Sequence, residues 1–208
     1  MIPIHVINLE CRPLRKIKML KEFRKHNTTD FTFHTAIHGH TLDIDKMIES
    51  GEFSLKHKRL KAGEYGCYLS HLNVLKSVLE SPEELHLILE DDVFFVPNFK
   101  NKLKLLLSRV ENIDWDVLYI GINKHENNCD EGEYLLDKSF GIYYPKHPMW
   151  GTHAYIVRKE SFKKIVPLLE PVMLPIDVML MYMDIKRLTL TNMLVYPRIS
   201  ISDTQTIR

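Results

Sequence analysis

The run Leu85-His86-Leu87-Ile88-Leu89 passes directly into Glu90-Asp91-Asp92 and on into Val93 to Val96. Its almost unbroken apolar character is that of a strand covered on both faces, which belongs in a sheet flanked by helices. Three carboxylates at the end of such a strand repel one another and lose hydration unless a cation joins them. A hard divalent ion suits oxygen ligands of this kind. In open α/β sheets, ligands sit outside the carboxyl ends of the strands, which is where this triplet falls. The competing reading is a surface turn whose acids cap the next helix.

The flanking pattern agrees with an α/β fold. Ile4 to Leu9 is a short apolar strand, and Leu14 to Lys25 is helical, with Ile17, Leu20 and Phe23 at helical spacing. Phe31 to Ile37 is a strand stopped by Gly39, so the chain opens with a βαβ unit and predicts a parallel sheet covered by helices. Ala62 to Leu79 is a long helix carrying Tyr65, Tyr68, Leu69, Leu72, Leu75 and Leu79, and Ser81-Pro82 ends it. Asn98 to Val110 is helical, Asp116 to Ile120 a buried strand ending at Gly121, and 123–140 a polar loop with a hairpin. Ala154 to Val157 is a strand and Lys159 to Val166 a helix, and Pro175-Ile176-Asp177 opens a methionine-rich helix. No repeat or linker interrupts the chain, so 1–208 is read as one domain.

Charge and cysteines exclude several classes. The net charge of +1 provides no global field for nucleic acid, and no apolar stretch approaches the roughly 20 residues that span a bilayer. The run Met1 to Leu9 is too short for an export core before Glu10, Arg12 and Arg15. Cys11, Cys67 and Cys129 are an odd number without C-x-x-C spacing, which argues against a disulfide framework and for reduced thiols. The expected location is the cytoplasm.

Several stretches together suggest a family. Val6-Ile7-Asn8-Leu9-Glu10-Cys11-Arg12-Pro13-Leu14-Arg15 resembles the opening of glycosyltransferase family 25, which holds bacterial lipopolysaccharide sugar transferases and animal collagen galactosyltransferases. Ala62-Gly63-Glu64-Tyr65-Gly66-Cys67-Tyr68-Leu69-Ser70-His71-Leu72 resembles its most distinctive segment, and Ile88 to Val93 its metal motif. Trp150-Gly151-Thr152-His153-Ala154-Tyr155-Ile156-Val157 and Pro175-Ile176-Asp177 are similar to its later blocks, in the same order. One departure is His38, where many members carry an acid before the glycine. The resemblance implies a GT-A-like nucleotide-sugar-binding fold with a mostly parallel central sheet. It also implies a UDP-hexose donor (galactose or glucose), a divalent cation, Mn2+ or else Mg2+, and inversion at the anomeric carbon. The acceptor would be a glycan, a lipid-linked saccharide or a hydroxylated protein.

Candidate residues follow. Asp92 and Glu90 are expected to hold the metal, with Glu90 and Asp91 also facing the donor. Asn8, Arg12 and Arg15, after the first strand, offer an amide and two guanidinium groups to its phosphates or base; the alternative is solvation of a helix start. Glu64, Ser70 and His71 sit on the distinctive helix, whose glycine-bearing start would face an anion; the alternative for His71 is a satisfied core histidine. Asp177 is the candidate general base, its alternative a helix N-cap. His34, His38 and His40 are close in sequence, but Gly39 breaks the strand that would align them for zinc. Met179, Met181 and Met183 are read as core, and Trp150 as either core or a sugar-stacking ring. Rival functions are a silent relative that binds a glycan or partner, which the intact acid triplet opposes, and a metal-dependent phosphohydrolase. The latter wants a carboxylate where Asn8-Leu9 stand.

Overall fold

The winding of the chain reverses at its first strand. In the computed structural model, which describes residues 2–57, 59–123, 132–136, 140–146 and 149–198, β1 (Ile4–Asn8) pairs in parallel with β2 (Phe31–Thr35) on one side. On its other side it pairs, again in parallel, with β3 (Leu85–Glu90). The chain reaches β2 through α1 (Pro13–Lys25), then passes α2 (Ile44–Glu49) and returns to β3 through α3 (Ala62–Leu79). A sheet whose strand order turns back on itself opens a crevice at the carboxyl ends of the two strands that part company, here β1 and β3.

The rest of the sheet is mixed. After β4 (Val93–Phe95), α4 (Phe99–Val110), β5 (Val117–Asn123), β6 (Gly132–Leu136) and β7 (Ile142–Pro145) comes the long β8 (Trp150–Arg158). Then follow α5 (Lys159–Ile165), α6 (Ile176–Tyr182), β9 (Arg187–Leu190) and β10 (Val195–Pro197). Eight strands lie in the order β2-β1-β3-β8-β5-β9-β7-β6, and β10 pairs with β4 separately. β8 runs antiparallel to both β3 and β5, while β5 and β9 are parallel. The α/β, helix-covered architecture expected from the sequence holds, with antiparallel pairings beginning at β8.

Strand alternation assigns the faces. Phe31 and Phe33 of β2 meet Phe23 of α1, which stacks on Phe31 at 4.3 Å between ring centroids. Glu90 emerges on the opposite face, toward α3. α3 is buried nearly all round, at Tyr65, Gly66, Tyr68, Ser70, His71, Leu72, Val74, Leu75 and Val78, because α5 and α6 flank it as well as the sheet. Met179 and Met181 are core residues, as expected.

Two local readings change. Gly121 does not end its strand; β5 runs on to Asn123 with register shifts around Gly121, where the Val195 carbonyl passes so closely that a Cβ would lie 2.7 Å from it. α2, β7, β9 and β10 lie in stretches without a clear period in the sequence. The expected hairpin loop over 123–140 falls largely outside the described residues, as does Cys129. No helix among the described residues is long and apolar enough to cross a membrane.

Candidate functional site

A cleft of about 770 Å3 opens at the carboxyl ends of β1 and β3. Its floor is tied together by two glycines. A Cβ on Gly39 would stand 1.7 Å from the Ala62 carbonyl oxygen, and one on Gly66 would stand 2.6 Å from the Gly39 nitrogen. Only glycine at both places lets the 36–39 loop lie against the first turns of α3. Ser70 fastens the contact, accepting from the Ile37 N–H at 2.8 Å and donating to the Gly66 carbonyl at 2.6 Å. Glu64 accepts from the Lys61 N–H at 2.7 Å and so closes the start of α3. Both residues line the cleft, but their hydrogen bonds build its wall.

The wall beside α1 is ionic. Pro13 at the first helical position starts α1, whose first turn carries no side-chain cap. Arg12 and Arg15 line the cleft there. Arg15 Nη1 lies 3.0 Å from Asp91 Oδ1 and 3.3 Å from Asp92 Oδ2, so one guanidinium holds two neighbouring carboxylates. Asn8, expected to face the donor, is buried behind this wall instead. Its amide donates to Asp91 Oδ2 at 2.6 Å, because alternation along β1 turns it toward the α1 face. Burial lifts the Asp91 carboxyl above its usual range, although Asn8 and Arg15 pull it down.

Among the described residues, the wall beside α3 and β8 is lined without an arginine. The Glu90 Oε1 accepts from the Thr152 hydroxyl at 3.2 Å and stands 3.8 Å from His71 Nε2. Thr152 Oγ1 is also 3.4 Å from His71 Nε2, and His71 Nδ1 is 2.9 Å from the Tyr155 hydroxyl. Burial acts on Glu90 to raise its carboxyl, but His71, His153 and Thr152 outweigh it and hold the group below the ordinary range. Burial lowers the His153 imidazole, with Glu90 opposing.

Asp177, at the start of α6, joins the same wall. Its Oδ2 accepts from the Gly151 N–H at 3.0 Å and its Oδ1 from the Val178 N–H at 2.9 Å. The N-cap of α6 is Pro175, so Asp177 lies inside the helix and is not its cap. Gly151 has φ +94, a conformation that L side chains avoid, and a Cβ there would meet Asn123 Nδ2 at 3.0 Å. Consecutive residues of β8 thus anchor two carboxylates, Gly151 through its backbone and Thr152 through its hydroxyl. Cys67 sits among the acids of this wall; burial raises its thiol well above the usual value, and Glu90, Asp177 and Glu64 add to the rise.

Nine of the ten residues singled out in the sequence line this one cleft: Arg12, Arg15, Glu64, Ser70, His71, Glu90, Asp91, Asp92 and Asp177, with Asn8 one layer behind. Sequence reasoning missed Thr152, Tyr155 and Arg198. Arg198 lines the cleft, donates from its backbone to the Asp92 carbonyl at 2.5 Å, and pairs with Glu22 at 2.7 Å. Thr152 and Tyr155 lie inside a quoted block, but regular alternation would face residues three apart oppositely; the register shift of β8 against β5 turns both toward His71, and the sequence carried no signal of it. His34 contacts His5 at 2.8 Å, away from His38 and His40, whose rings lie 5.5 Å apart.

Comparison with known proteins adds the following. The family model described as glycosyltransferase family 25 (LPS biosynthesis protein) matches residues 1–180. A glycosyltransferase 25 family member of Anopheles gambiae is 32% identical over 185 residues, covering 84% of this chain and 30% of the relative. Human procollagen galactosyltransferase 2 is 28% identical over 172 residues, covering 78% of this chain and 27% of the relative. The chain therefore spans under a third of the length of these relatives. Among solved structures, Staphylococcus aureus TarS 1-349 in complex with UDP-GlcNAc superposes with a TM-score of 0.54 at 12% identity, over 100% of this chain and 62% of that one. A glycosyltransferase involved in glycosylation of the major capsid of PBCV-1 gives 0.52 at 12% identity, over 98% and 95%. At that identity the likeness establishes the fold, a GT-A-like α/β architecture.

Proposed function

Since the chain belongs to glycosyltransferase family 25, we propose that it is an inverting, metal-dependent transferase that moves a hexose from a UDP-sugar to a hydroxyl acceptor. The observation that carries this reading is the crevice at the β1–β3 reversal, where Arg12 and Arg15 share one wall with Asp91 and Asp92. Paired cations and acids at the carboxyl edge of a sheet suit a diphosphate that arrives with its counter-ion. The procollagen galactosyltransferase relatives support galactose as the hexose moved and a protein among the acceptors.

The fit of a metal depends on how much of its shell the protein must supply. Among the described residues, no three His, Cys, Asp or Glu side chains are grouped to hold an ion. A divalent ion carried on a diphosphate needs only one or two protein carboxylates. Asp92, facing the cleft, meets that smaller demand, with Glu90 as the second candidate. When bound, the ion supplies charge neutralisation to the leaving diphosphate.

Arg12 and Arg15 would hold the diphosphate, and Asp177 would take the proton of the acceptor hydroxyl. As that oxygen bonds to the anomeric carbon from the far side, the carbon–oxygen bond to the diphosphate breaks and the diphosphate keeps the electron pair. Asp177 is suited to this because Gly151 and Val178 fix its carboxylate at the cleft. A screen of UDP-hexoses for released UDP, with and without Mn2+, tests the reading. Release that requires the cation is expected, and equal turnover in excess chelator would overturn the metal dependence.

A further inference from the structure

The α3 wall contains a chain of hydrogen bonds that starts in the core and ends on a cleft carboxylate. Tyr155 is fully buried, and its hydroxyl lies 2.9 Å from His71 Nδ1. Across the imidazole, Nε2 lies 3.4 Å from Thr152 Oγ1, and the Thr152 hydroxyl donates to Glu90 Oε1 at 3.2 Å. His71 itself is 1% exposed in the cleft wall, with Thr152 and Glu90 beside its Nε2.

The protons in this chain have one consistent direction. Each hydroxyl has a single proton, and a neutral imidazole has one N–H and one bare nitrogen. With Thr152 donating to Glu90, its oxygen is left to accept from His71 Nε2–H. Nδ1 is then bare and accepts from Tyr155. Every link is used once: Tyr155 to His71, His71 to Thr152, Thr152 to the carboxylate.

We propose that Tyr155 is a positioning residue: acting through His71 and Thr152, it fixes the His71 tautomer and holds the Glu90 carboxylate in place at the cleft wall. The neighbouring carboxylate, Asp177, hangs from Gly151 on the same strand, so Thr152 also sets the relation of Glu90 to the candidate base. Buried chains of this kind orient a terminal group because each member has only one partner to turn to. Glu90 needs such a device: where Asp91 and Asp92 share Arg15, its described partners are Thr152 and His71.

The proposal rests on the transferase reading for its kinetic consequence but not for its structural one, and the two are tested apart. In 15N-histidine-labelled protein, His71 is expected as the Nε2–H tautomer, and Tyr155→Phe, which removes only the hydroxyl, should convert it to a mixture. In the transferase assay, Tyr155→Phe and Thr152→Val should lower kcat by up to about 100-fold while leaving the donor KM within a few-fold. Thr152→Ser, which restores the hydroxyl, should recover most of what Thr152→Val loses. An Nδ1–H tautomer in the wild-type protein, or a Tyr155→Phe protein with unchanged tautomer, overturns the relay. Equal loss of rate in Thr152→Ser and Thr152→Val assigns Thr152 to packing and likewise overturns it. If the wild-type protein releases UDP from no UDP-hexose, the transferase reading fails while the tautomer measurement still decides the relay.

Discussion

Two walls of one cleft hold adjacent carboxylates in different ways. On the α1 side, Asp91 and Asp92 share Arg15, yet the Asp91 carboxyl is pushed above its usual range because burial outweighs its partners. On the α3 side, among the described residues, Glu90 faces His71, Thr152 and the nearby His153 instead of an arginine, yet its carboxyl lies below the usual range. A formal ion pair is thus a poor guide to which carboxylate ionises easily. The number and direction of the groups facing it, set against the loss of water, decide the outcome. The difference also suggests a division of labour, with the arginine-paired wall suited to the diphosphate and the hydrogen-bonded network of the α3 wall to the sugar and acceptor.

The hardest test of that division is Asp177→Asn. If the α3 side performs the transfer, kcat should fall by about 10²–10⁴-fold with little change in donor KM. Unchanged turnover with a loss of about 1 kcal/mol of stability would make Asp177 only the anchor of Gly151. Asp92→Asn comes next. It should remove about 10²–10³-fold of activity while thermal unfolding stays nearly constant, since it relieves repulsion in the acid run. An active variant, or an unfolded one, would break the assignment of the α1 side to the diphosphate and its ion.

Gly151→Ala addresses the anchoring of Asp177 within the α3 wall. A side chain at φ +94 and against Asn123 should cost about 1–3 kcal/mol, read as a lower unfolding midpoint, and should weaken activity by moving Asp177.

The smallest effect sharpens the electrostatic comparison most. Glu90 has a lowered carboxyl, so its ionised form adds stability at neutral pH, and this is lost as pH falls through its folded value, below 4.5. Asp91 has a raised carboxyl, so the sign reverses: its contribution favours the fold at low pH and is lost as pH rises through that raised value. Glu90→Gln should therefore lower stability at pH 7 by about 1 kcal/mol, a deficit that shrinks toward pH 3. Asp91→Asn should be neutral or stabilising at pH 7, converging on wild type in acid. Parallel pH–melting curves for the two variants would remove the distinction between the walls.

Much of this molecule is legible from its residues alone. The apolar run ending in Glu90-Asp91-Asp92 already pointed to a covered strand, with a ligand site at its end as one of two readings. The period of 62–79 marked α3 to the residue, because a helix with a long apolar stripe and a clean stop leaves little choice. Short-range chemistry of this kind is written in neighbouring letters. The partners of the acids are not. Asn8 meets Asp91 across 83 residues, Thr152 meets Glu90 across 62, and Arg198 meets Glu22 across 176. β8 enters antiparallel between β3 and β5, and this placed Gly151 and Thr152 over the cleft although the opening of the chain pointed to a parallel sheet. The residues announced that a polar site exists at the end of β3. Which face each carboxylate takes, and whether its partner is an arginine or a buried histidine network, depends on the register of strands distant in sequence, and only packing of the whole sheet decides that.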